Sequence, residues 1–169
     1  VSTPDTSGSD HAALYAAELA AFDGTDLEVV QPFATIAAVL RTVVGSEWWP
    51  GGSVDVRRAR ADAGSSTTRC TVSEAGKRAT ISLAAPQMTI ATAAHELAHV
   101  LAGVACGHDA SYRRAYLDTV QVMTNIDPID RRLGLHVDQL AQAFAAAGLA
   151  VGERSWPAPT EGTGSAFAL

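Results

Sequence analysis

The chain has 169 residues, 47% hydrophobic and 18% charged, with 18 acidic against 12 basic side chains and a formal net charge of −6. That length suits one folding unit, and that balance excludes a mostly disordered or collagen-like chain. The negative charge opposes a nucleic-acid backbone, and the densest basic cluster is only Arg57, Arg58 and Arg60, so no nucleic-acid partner is expected.

Alanine fills 33 positions, so helices should pack closely around a few large aromatic anchors. In chain order, Leu14, Tyr15, Leu19 and Phe22 recur at helical spacing and predict a helix over 9–22. Pro32 opens a second helical pattern, Phe33, Ile36, Ala37, Leu40, Val43 and Val44, which Gly45 stops. Trp48 and Trp49 follow in a loop and read as a packing plug at the helix end. The period then changes. Val54 to Arg57 reads as a strand, and Thr68 to Val72 and Arg78 to Leu83 flank a Glu74-Ala-Gly-Lys77 turn as a hairpin.

Helical periodicity returns over about 89–103, 109–123 and 129–147, with a break at Asn125-Ile-Asp-Pro128. Residues 153–169 carry prolines and glycines and are expected to form an extended, flexible tail after a single domain over 1–152. Poor in charge and ending in Ala166-Phe-Ala-Leu169, this tail also has the character of a segment that could lie in a substrate groove. A membrane span is not expected, because the most apolar stretch, Ile90 to Cys106, is interrupted by His95, Glu96 and His99. The first residues have neither a basic nor an apolar signal region, which makes the cytoplasm the expected compartment, with Cys70 and Cys106 as free thiols.

His95-Glu96-Leu97-Ala98-His99 matches HExxH. Residues four apart share a helix face, so two imidazoles can close on one metal ion, while Glu96, rotated by about 100°, stands beside the ion as a base for water. A structural zinc site has no use for that carboxylate; a hydrolytic one does. His108, beyond the short Gly103–Gly107 turn, offers a third nitrogen and leaves the fourth position open for water. Cys106, Asp109, Asp118 and His136 are the alternatives for that third place. Asp109 also lies where a helix N-cap belongs, and His11 and His136 read as surface or core residues without a partner motif. Tyr112 and Arg113 are candidates for a second electrophile.

His95 to His99, followed by His108-Asp-Ala-Ser-Tyr112, resembles the zincin pattern of SprT-like metalloproteases, with Asp109 where that pattern has glycine. Together with Leu14-Tyr-Ala-Ala-Glu18 and Tyr116-Leu-Asp118, it resembles a family of small actinobacterial metallohydrolases with an HExxH motif, over roughly residues 11–152. The spacing differs from that of metzincins, and Met123 reads as a core methionine rather than a Met-turn.

The resemblance implies an α+β, zincin-like fold, with helices packed on a small, mainly antiparallel sheet, and one zinc ion. The expected function is a zinc-dependent hydrolase, a metallopeptidase or amidase, with Glu96 catalytic and His95, His99 and His108 as ligands. The alternative is a non-catalytic zinc-binding or interaction module, whose mark would be a fourth ligand from Cys106 or Asp109. A peptide substrate is expected to add to a free strand edge at Arg78 to Leu83. The acidic balance speaks against a DNA-linked role.

Overall fold

The computed structural model describes residues 7–126 and 135–159. Its elements run α1 (Ser7–Phe22), α2 (Phe33–Val44), β1 (Ser53–Arg58), β2 (Thr67–Ser73), β3 (Gly76–Leu83), α3 (Ile90–Ala102), α4 (Ala110–Ile126) and α5 (Leu135–Ala146). The architecture is α+β, five helices around a three-stranded sheet among the described residues. The helix expected over 129–147 starts in the description at Leu135, because 127–134 lie outside it.

The sheet corrects the expected strand arrangement. β2 and β3 form the antiparallel hairpin, with Val72 opposite Lys77, but β1 pairs parallel to β3, giving the order β1-β3-β2 and a mixed sheet. The chain leaves β1, passes the end of β3 and returns as β2, so β3 slots between its two predecessors. Arg78 to Leu83 is therefore paired on both sides and has no free edge for a peptide. The hairpin is a local pairing that turn chemistry announces, whereas the β1–β3 pairing depends on packing between distant residues.

Alternation along β3 sends Ala79, Ile81 and Leu83 to the buried face, against α3. Ala91, Ala93, Ala94, Leu97, Ala98 and Val100 bury α3 on nearly every side. Such a helix belongs at the centre of the molecule, and its alanines let α4 approach closely. Thr89 caps it, its Oγ1 accepting from the Thr92 N–H at 3.1 Å, a contact whose loss costs about 1 kcal/mol. Lys77 on β3 donates to the Val100 carbonyl in the last turn of α3, where a cation suits the helix dipole.

Met123 is a core residue, 1% exposed. Trp48 and Trp49 pack against the core after α2, Trp48 donating its indole N–H to the Pro157 carbonyl. Residues 153–159 form no helix or strand, yet side chains tie them to α4. The Arg154 guanidinium forks onto both oxygens of the buried Asp118 at 2.7 and 2.8 Å, and Trp156 donates to the same carboxylate. The remainder of the expected tail, 160–169, lies outside the described residues. No helix among the described residues is long and apolar enough to cross a membrane.

Candidate metal centre

Two neighbouring helices and the turn between them assemble the three histidines. His95 and His99 stand one turn apart on α3. Gly103 (φ 98°) and Gly107 (φ 55°) then take positive-φ conformations that let the chain double back, placing His108 just before α4. One ligand atom from each of the three lies within 4.8 Å of the others, and His95 Nε2 is 3.4 Å from His108 Nε2. A tetrahedral ion with nitrogen ligands at about 2.0–2.1 Å requires nitrogens roughly 3.3–3.4 Å apart, so the donor set and the His95–His108 separation fit such an ion, while the full spread of 4.8 Å is wider than a bound ion would hold.

The alternative ligands are engaged elsewhere. Asp109 caps α4, accepting from the Tyr112 N–H at 3.0 Å, and the Cys106 thiol donates back to the Ala102 carbonyl. Asp118 holds Arg154 and Trp156, and His136 sits 3.3 Å from Asp26. Neither second-electrophile candidate is free to turn toward a substrate. Tyr112 is fully buried with its hydroxyl on the His95 carbonyl, and Arg113 donates to the carbonyls of His108 and Ala150. Tyr112 serves instead as a packing post, its ring 4.5 to 5.5 Å from the rings of all three histidines.

Sequence reasoning missed the contribution of α1. His11, Tyr15 and Glu18 recur at helical spacing and line the side of that helix that faces the cluster. Glu18 Oε1 accepts from His95 Nδ1–H at 2.7 Å, with both side chains largely buried. This bond fixes the imidazole with Nε2 toward its two partners, as metal-binding histidines require of the groups behind them. The Tyr15 ring stacks on His95 at 5.7 Å with an interplanar angle of 15°, and the exposed His11 ring lies 4.8 Å from His108. The 11-15-18 spacing was visible beforehand, but nothing in it named the helix that α1 would face.

Burial lowers the pKa of His99 to about 3, assisted by the charges of His95, His108 and His11. Burial likewise lowers His108 to about 4, with His95, His11 and Arg113 adding to the effect. Both are neutral near pH 7, the state in which imidazole offers a lone pair. Burial also pushes against a charge on His95, but the hydrogen bond and charge of Glu18, with Glu96 behind it, outweigh that and raise its pKa.

Glu96 follows His95 on α3, rotated from it by about 100° around the helix. Burial raises its pKa, opposed by the bond from Thr68 and the charge of His95. Thr68 Oγ1 on β2 donates to Glu96 Oε2 at 2.6 Å, which fixes the carboxylate at the wall of a cavity of about 330 Å³. Tyr15, Glu18 and His95 also line this cavity, with the exposed Asp23 and Glu28 farther out.

Comparison of the chain with protein-family models, curated proteins and solved structures returned no match. What stands on the chain's own residues is a group of three histidines able to hold a metal ion, with a held carboxylate next to it.

Proposed function

We propose that the protein is a zinc-dependent hydrolase acting on peptide or amide bonds. The observation that carries this reading is Glu96. A largely buried carboxylate is costly, and here it is held by Thr68 at a cavity wall that His95 shares, the placement a base for water needs. His95, His99 and His108 would hold the ion. Zinc bound there would polarise a carbonyl and make a water more acidic. Glu96 accepts the proton of the attacking water and delivers it to the leaving amine nitrogen. Glu18 orients His95, and Thr68 keeps the Glu96 carboxylate turned toward the cavity.

The engagement of Cys106 and Asp109 elsewhere supports an open fourth position over a closed, non-catalytic site. For a peptide substrate the free rail nearest Glu96 is β2, an edge strand that among the described residues pairs only with β3 and that carries Thr68. The test is metal content and turnover of a peptide library, for the wild type and for Glu96→Gln. The expected result is equal zinc content in both proteins and a loss of turnover of about 100-fold or more in the variant. Full turnover by Glu96→Gln would remove Glu96 from the mechanism, and a wild type that takes up no zinc would remove the reading altogether.

A further inference from the structure

A second concavity lies on the opposite face of the sheet. Along β1 and β2, Val56 and Thr68 flank Ile81 and face α3, so Arg57 and Thr67, which flank Ser82, face outward. Arg69, two residues beyond Thr67, shares that outer face. These strands and the loop after β1 form a groove of about 700 Å³ lined by Arg57, Arg58, Arg60 and Arg69, with Asp62 the only acidic lining residue among the described residues. Arg57 is steadied by a bond from Nε to Ser82 Oγ at 3.1 Å, and the Arg58 guanidinium lies 5.0 Å over the Phe33 ring. Arg60 pairs with Asp62 at 3.4 Å. Among the described residues, Arg57, Arg58 and Arg69 have no carboxylate partner. Arg58, two residues on from Val56, turns to Phe33, which leaves Arg57 and Arg69 as the exposed guanidinium groups of the outer face, with Asp55 opposite Thr80 as its strand carboxylate and bonded to neither.

We propose that this groove binds an acidic stretch of polypeptide through guanidinium–carboxylate pairs and holds it beside the lip that leads to Glu96. That lip is Ser65, which lines both the groove and the Glu96 cavity. The guanidinium fork matches a carboxylate. Single-stranded nucleic acid fits less well, because among the described residues no aromatic side chain lines the groove to stack a base and the negative net charge opposes a long polyanion. Binding stands on the groove alone; delivery of the bound chain to Glu96 rests on the hydrolase reading.

The experiment uses the full chain with zinc. Three fluorescein-labelled probes are titrated against Glu96→Gln, which binds without cutting: a peptide with a run of glutamates, the same peptide with glutamines, and an oligothymidylate of matched length. The glutamate peptide should bind about tenfold more tightly than the glutamine peptide at low salt, with the preference shrinking as salt rises. Adding R57Q/R69Q should abolish the preference without moving the thermal midpoint, whereas adding R41Q, an exposed arginine on α2 outside the groove, should preserve it. Equal binding of the two peptides, a preference that survives R57Q/R69Q, or one that R41Q removes as fully would overturn the proposal. So would arginine-dependent binding of the oligothymidylate that is tighter than that of the glutamate peptide.

Turnover of both unlabelled peptides by the wild-type chain separates the two readings. Cleavage without a binding preference removes the groove and leaves the hydrolase. A preference without any cleavage does the reverse.

Discussion

The two concavities that meet at Ser65 use charge in opposite ways. Around the histidines, the charged groups nearest the centre are largely buried and individually partnered, Glu18 by His95 and Glu96 by Thr68. In the arginine groove the charges are exposed, and three of the four lack an acidic partner among the described residues. Burial makes a charge costly unless its geometry is fixed, so the first site trades freedom for position. Exposure makes a charge cheap, mobile and sensitive to salt, which suits capture of a partner over chemistry on it.

Substitutions can break that contrast, beginning at the buried end. His108→Ala should weaken zinc binding by more than about 100-fold, beyond the usual effect of losing a supporting group, as read by competition with a chelator. Zinc that stays tight would mean that the third ligand lies elsewhere. Glu18→Gln keeps the shape but removes the negative charge behind His95; a 10- to 100-fold loss of zinc affinity is expected, with little change in fold by circular dichroism. An unchanged affinity would make Glu18 a packing residue only.

Thr68→Val should leave zinc bound and lower kcat about tenfold with KM nearly constant, because the bond it removes orients a charged group. A change confined to KM would place Thr68 at the substrate rather than behind Glu96. The smallest effect belongs to the exposed site. Arg60→Gln should weaken the glutamate peptide only about twofold, and less than Arg57→Gln does, because Asp62 already offsets part of the Arg60 charge. Arg60→Gln proving the more damaging of the two would place the peptide on the loop instead of the strands.

Much of the fold was legible in local pattern. Helix α2 begins after Pro32 and ends before Gly45, the hairpin turns where Glu74-Ala-Gly-Lys77 says it should, and Asp109 caps α4 as its position suggested. The candidate site was legible in part. His95, Glu96 and His99 are set by the rotation of one helix, and His108 by a turn of a few residues, so their grouping follows from short-range geometry. His11, Tyr15 and Glu18 were not assigned to it, because their role depends on α1 packing along α5 and so reaching α3 with its side chains, a contact between residues 77 apart in the case of Glu18 and His95. The peptide rail failed for a related reason. Strand propensity identifies β3 but does not say which of its edges another strand will cover.

The arginines show the same division. Arg57, Arg58 and Arg60 stood out as a cluster in the sequence, small against a net charge of −6, while Arg69 lay outside it on the hairpin. Pairing β1 and β2 to either side of β3 brought Arg69 onto the same outer face as Arg57 and made a groove of scattered charges. By itself, the sequence determined what one helix or one turn can hold rigidly: the HExxH pair, its base and the nearby third histidine. Tertiary structure alone decided which distant groups would support that centre and where the opposing charge would gather, because packing between elements is set by the whole core rather than by the spacing of neighbours along the chain.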